Sequence, residues 1–194
     1  SGYATYNRGW LGQRLDRRQF LNRQDQPLSL ACTMCACKAL GMAKVVFTVN
    51  HQFAADPQAV WDELADWAGH ANWIPATRVE VAPGDPLAVG AEFTAWTGYG
   101  PLKLEDRMRV AAIDWQPDQQ RGTCTVDKLG PVLTGTASFT VDGTAGATDL
   151  EWIEDVTVPH VPQFLAPVVA RIGAAGFKLA MISLGRQMRK SAAA

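Results

Sequence analysis

The chain has 194 residues, 47% of them hydrophobic, and a formal net charge of -1. That length and apolar share suit one domain with a real core and no need of disulfides, since a domain near 150 residues hides roughly 70% of its unfolded surface. The charge is uneven: residues 1–41 carry six basic and two acidic side chains, residues 42–194 twelve basic and seventeen acidic, and an acidic domain argues against nucleic acid as its partner.

In chain order, residues 1–41 show no consistent period and read as an extension dispensable for the domain, which is expected to span 42–194 and to start at Met42-Ala43-Lys44. Asp16-Arg17-Arg18-Gln19-Phe20-Leu21 is similar to a twin-arginine export signal, but polar residues Asn22 to Gln26 stand where the apolar region should follow. A cytoplasmic location is therefore expected. Cys32, Cys35 and Cys37 form a C-x-x-C-x-C cluster without the second pair that a zinc site brings, so no metal is expected. Arg171 and Lys178 interrupt the most apolar stretch near the carboxyl end, and no transmembrane segment is expected.

Val45 to Phe53 alternates and is rich in β-branched residues, which predicts a strand at the centre of a sheet. Asp56-Pro57 supplies a helix cap and a first helical residue, and Val60, Trp61, Leu64 and Trp67 follow at helical spacing. Gly69 ends that helix, and a second helical turn from His70 must stop before Pro75. Six strands are then expected near 77–82, 90–97, 102–115, 120–128, 132–142 and 147–157, divided by Pro- and Gly-rich turns. Their period of two turns Val79, Val81, Phe93, Leu104, Met108, Val110, Cys124, Val126, Leu133, Ala137, Phe139, Leu150, Trp152 and Val156 inward. Lys103, Glu105, Arg107, Arg109, Thr134, Thr136 and Thr140 face water. A long helix from about Gln163 to Arg189 closes the chain, with Gly173, Ala174, Ala175, Gly176 and Ala180 keeping its centre small.

The same parity puts Asp106 between Leu104 and Met108, and Glu154 in line with Leu150, Trp152 and Val156. A carboxylate on an apolar face costs free energy unless paired or solvated, so these two are the candidate catalytic residues, able to orient a polar group or act as acid and base. The competing reading is a β-bulge that turns one or both outward. His51, His70 and His160 read as surface or turn residues, Cys124 as a small buried hydrophobe, and Trp61 and Trp67 as core. Trp73, Trp96 and Trp152 have broad rings suited to a cavity wall or mouth, with core packing the favoured reading of Trp152, and Tyr99, between two glycines, falls in a loop that could serve as a lid. No dinucleotide, phosphate-loop or zinc-protease signature occurs, so no cofactor is expected.

Three segments carry a family likeness: Val49-Asn50-His51-Gln52-Phe53-Ala54-Ala55-Asp56-Pro57-Gln58-Ala59-Val60-Trp61-Asp62-Glu63-Leu64-Ala65-Asp66-Trp67, Asn72-Trp73-Ile74-Pro75 and Val89-Gly90-Ala91-Glu92-Phe93. With the element order they resemble the START-like (SRPBCC) superfamily, in its polyketide cyclase/dehydrase and lipid transport branch. The resemblance implies an α+β helix-grip fold: a curved antiparallel sheet of about seven strands around a long C-terminal helix, with a hydrophobic cavity between them. It implies a hydrophobic small-molecule ligand of lipid, sterol, quinone or polyketide type, with Trp73, Phe93, Trp96, Tyr99, Leu104, Met108, Trp152, Ile172 and Gly176 as expected ligand-binding residues. A binder or carrier is the first functional reading, a cyclase/aromatase using Asp106, Glu154 and Tyr99 the second, and a ribosome-directed toxin-like interaction protein the third. The sequence leaves the oligomeric state open.

Overall fold

The computed structural model describes residues 41–192; the expected extension, with its cysteine cluster and arginine pair, lies outside the described residues. Seven strands form one antiparallel sheet in the order β1-β7-β6-β5-β4-β3-β2: β1 Met42–Phe53, β2 Thr77–Val81, β3 Glu92–Thr97, β4 Leu104–Gln116, β5 Arg121–Leu129, β6 Thr134–Thr144 and β7 Ala147–Pro159. Two short helices, α1 Pro57–Ala65 and α2 His70–Trp73, carry the chain from β1 to the opposite edge of the sheet, from which β2 to β7 return as successive neighbours. The last element, α3 Ala166–Ser191, packs chiefly along β1.

This is the helix-grip architecture, with one correction. Among the described residues β1 is an edge strand, joined only to β7 from Met42↔Pro159 to Phe53↔Thr148. Its β-branched wealth does not come from a central position, since Val46 faces outward and is half exposed, whereas Val45, Val49 and Phe53 point inward under α3 and α1. Strand pairing at one edge and helix packing over the inner face give β1 the burial that a central strand would have.

α1 buries Val60, Trp61, Leu64 and Ala65, and each large apolar side chain removed from water stabilises the fold by roughly 1.5–3 kcal/mol. Its expected cap works differently. The Asp56 carboxylate makes no hydrogen bond to the helix and instead accepts the Gly146 N–H at 2.6 Å, tying the β6–β7 hairpin to the start of α1. Thr148 adds a second tie, donating its hydroxyl to Ala55 O at 2.7 Å. Trp61 stacks on Trp115 at 5.0 Å and Trp67 on Phe93 at 4.5 Å, which closes the α1–α2 end of the interior with aromatic rings.

Candidate functional site

A bulge does interrupt β4, but beyond the residue that matters. Val110 pairs with Val126 and Ala112 with Thr125, leaving Ala111 as an extra residue. Before it, Asp106, Met108 and Val110 keep the inward parity; after it, Ile113 and Trp115 take over the inner side. Asp106 and Glu154 are therefore both buried on the inner face, at 9% and 3% exposure.

Between them stands a third charge that the sequence reading passed over. Lys128 is 7% exposed, and its Nζ donates to Asp106 Oδ2 at 2.6 Å and lies 3.5 Å from Glu154 Oε2. Trp152 Nε1 donates to Glu154 Oε1 at 3.0 Å, and Met108 Sδ lies 3.6 Å from the ammonium. The signal was present: Cys124 and Val126 alternate inward, and the same parity reaches Lys128 two residues later.

The intervening strand makes the triad possible. β6 runs between Lys128 on β5 and Glu154 on β7, and the residues that face them in register are Gly135 and Ala137. Neither has a side chain long enough to block the ammonium from reaching across. Gly135 is itself required there, with φ +124° and no room for a Cβ, which would meet Asp155 O and the Val156 backbone.

The electrostatics of the group follow from two carboxyls sharing one ammonium. Burial works against the Lys128 charge, but Glu154 and Asp106 outweigh it and hold the lysine pKa above its ordinary value. For Glu154 burial dominates and raises the pKa, against the opposing pull of Lys128 and of the Trp152 N–H, and with Asp106 adding to the rise. Asp106 Oδ1 is buried and has no hydrogen-bond partner among the described residues. A buried acceptor without a donor costs about 1–3 kcal/mol, so this oxygen has the capacity to accept one more hydrogen bond, from a water or from another molecule.

An aromatic run connects the triad to the helix. Trp152 stacks on Phe139 at 5.5 Å and meets Phe177 of α3 at 5.1 Å, and Phe177 meets Phe47 at 5.7 Å. Gly173 lets α3 come this close, because a Cβ there would lie 2.6 Å from the Phe47 ring. Two concavities, about 680 and 180 Å3, do not lie between the sheet and α3, where the hydrophobic cavity was expected: they lie on the outward-facing side of β1, β5, β6 and β7 and around the β4–β5 turn, and neither touches the triad.

The expected ligand-binding residues separate into two groups. Trp73, Phe93, Met108 and Trp152 are buried in the main core and Leu104 is half-buried. Trp73 Nε1 is a second buried polar atom without a partner. Trp96 is half-buried with the Arg78 guanidinium 4.5 Å over its ring, and Tyr99 is 79% exposed. Ile172, at 68% exposed, and Gly176, with open space around it, lie on the outer side of α3 and do not face the interior. Apolar residues occupy both sides of that helix, so helical spacing alone did not tell them apart.

The histidines and Cys124 play no part in this group. His70 is buried, bonds Leu64 O at 2.9 Å and has its pKa lowered to about 4 by burial, which keeps it neutral. Burial pushes the Cys124 thiol up to about 12. Among the described residues no three of His, Cys, Asp and Glu gather closely enough to hold a metal ion.

Residues 43–189 match the profile of a family described as polyketide cyclase / dehydrase and lipid transport. No curated protein sequence matches the chain. Among solved structures it is similar to a START superfamily protein from Mycobacterium smegmatis, with TM-score 0.58 and 12% identity over 75% of this chain and 97% of that one. Norcoclaurine synthase from Thalictrum flavum, solved with dopamine and hydroxybenzaldehyde, gives TM-score 0.55 and 12% identity over 79% and 91%. A Thermobifida fusca protein gives 0.53 and 15% over 73% and 91%. At these identities the likeness shows the shared fold.

Proposed function

The chain belongs to the polyketide cyclase/dehydrase and lipid transport family, and from that premise we propose that it binds a largely apolar, hydroxyl-bearing small molecule against the inner face of the sheet, anchored at Asp106. The observation that carries this reading is the unpartnered Asp106 Oδ1, buried beside Lys128 and surrounded by apolar side chains. A ligand hydroxyl donating to that oxygen completes the network beside the aromatic run of Trp152, Phe139 and Phe177, whose rings would have to part to admit a flat carbon skeleton. Norcoclaurine synthase, similar in fold, was solved with two hydroxyl-bearing aromatic compounds, dopamine and hydroxybenzaldehyde. Carriage between membranes or enzymes is one use of such a site.

The test is organic extraction of the purified protein followed by mass spectrometry, with binding of the recovered compound to Asp106→Leu. That variant removes the acceptor and leaves Lys128 paired with Glu154. Affinity should fall roughly tenfold to a hundredfold, the worth of a hydrogen bond to a charged group. Protein that yields no compound, or a variant that binds equally well, overturns the reading.

A second reading is supported by the raised pKa of Glu154, a buried carboxyl beside an ammonium. Such a pair can move a proton to and from an enolisable carbon of a poly-β-ketone, which is cyclase chemistry. It requires that an Asp106→Asn variant still fold and lose cyclised product.

A further inference from the structure

The charge of the domain is segregated. Residues 42–162 hold seven basic and seventeen acidic side chains, whereas the stretch from Gln163 to the end holds Arg171, Lys178, Arg186, Arg189 and Lys190 and no acid at all. On α3 the face that meets β1 carries Gly173, Phe177, Ala180, Met181 and Leu184. The opposite face is also apolar, and it is uncovered: Leu165 is 39% exposed, Val168 49%, Ile172 68% and Leu179 63%. The segment Gln163–Ser191 is strongly apolar for a helix that is mostly not buried.

These residues recur three, four and seven apart, which makes one stripe along the helix rather than scattered exposure. Continued by the same spacing, the stripe runs from apolar side chains into Arg186 and Lys190, while Arg171 and Lys178 flank it on one side. Single exposed hydrophobes need no explanation, but a continuous apolar face rimmed with charge of one sign marks a docking surface.

We propose that this face lays α3 flat on an anionic lipid bilayer, with Leu165, Val168, Ile172 and Leu179 at the acyl boundary and the five cations on headgroup phosphates. An amphipathic helix with basic residues at the edge of its apolar stripe binds an interface in this way. Charge complementarity selects the occupant. A second copy would set five cations against five with no acid on either face, and residues 1–40 carry a positive charge balance as well. A bilayer with anionic lipids supplies the apolar layer and the opposite charge together. The same surface repels the acidic remainder of the domain, which fixes α3 as the side that faces it. This docking does not depend on what the interior binds.

Co-sedimentation of the full chain with vesicles tests it, using phosphatidylcholine alone and phosphatidylcholine containing about one third phosphatidylglycerol, a strongly anionic surface. Binding is expected only to the anionic vesicles, and raising salt from about 0.1 M to 0.5 M should weaken it. The Ile172→Glu/Leu179→Glu variant, altered at two exposed positions, should lose binding while keeping its circular dichroism spectrum. Replacing Arg186, Arg189 and Lys190 with Gln should weaken binding roughly fivefold per cation, whereas Arg107→Gln/Arg109→Gln, on β4, should change it little. Unmodified protein that ignores anionic vesicles overturns the proposal. So does a cation-to-Gln variant that binds as well as the original, or a dimer in sedimentation equilibrium that Ile172→Glu/Leu179→Glu splits.

Discussion

The two ends of the inner face are built on opposite principles. At the α1–α2 end, Trp61, Trp115, Trp67 and Phe93 stack in pairs, and buried His70 is held neutral with a carbonyl partner. Across β4, β5 and β7, three ionisable groups share one buried spot and one carboxylate oxygen is left without a donor. Each end keeps one buried polar atom unpartnered among the described residues, the neutral Trp73 Nε1 at the first and the carboxylate oxygen Asp106 Oδ1 at the second; what separates them is that only the second gathers buried charge. The first end rests on apolar contact between rings, the second on balanced charge.

The sharpest way to break that contrast is Lys128→Met, which strands two carboxylates in the core. A loss of about 3–5 kcal/mol is expected in urea unfolding, because an unpaired buried charge is far costlier than an absent pair. Replacing Asp106 and Glu154 with Leu in the same background should recover most of it. Equal stability of the single and triple variants would show that the triad is not desolvated as described.

His70 gives the next largest effect. Its pKa is lowered to about 4 in the fold from an ordinary 6.5, so the unfolded chain takes up the proton first. Its contribution is complete above pH 6.5 and is lost as the pH falls towards 4, a change of roughly 3 kcal/mol by linkage. A His70→Gln variant should flatten the stability profile over that window in a pH series of unfolding curves. Glu154 has the opposite sign: its raised pKa means that its charge costs stability as the pH rises above its ordinary value.

Two glycines in α3 give the smallest and most discriminating pair. Gly173→Ala drives a methyl into Phe47 and should destabilise by about 1–3 kcal/mol. Gly176→Ala meets open space and should stabilise by up to about 1 kcal/mol through helix propensity. Thermal melts of both variants compare the two sides of one helix directly.

Much of this was legible because strand parity is a hard constraint. Asp106 and Glu154 could be placed inward from Leu104, Met108, Trp152 and Val156 alone, since a slip of one residue would have exposed the whole apolar set. Lys128 was missed although it obeys the same rule, because a lysine invites a surface reading until its partners on other strands are known. The edge position of β1 was hidden for a different reason: composition records how much burial a strand receives, not whether a sheet neighbour or a helix supplies it. Asp56 looked like a cap, but the nearest unsatisfied donor was the hairpin N–H of Gly146, which is remote in sequence. For Ile172 and Gly176 the obstacle was symmetry, as α3 is apolar on both sides.

The seam between β1 and β7 sets the order of events during synthesis. The first strand leaves the ribosome with no neighbour in the sheet, and its single partner, register-matched from Met42↔Pro159 to Phe53↔Thr148, is the last strand made. Contacts of such long separation are slow to form, so β1 must wait exposed until almost the whole domain has emerged. A nascent chain halted before β7 is complete therefore presents an unpaired β-branched edge to every other chain nearby.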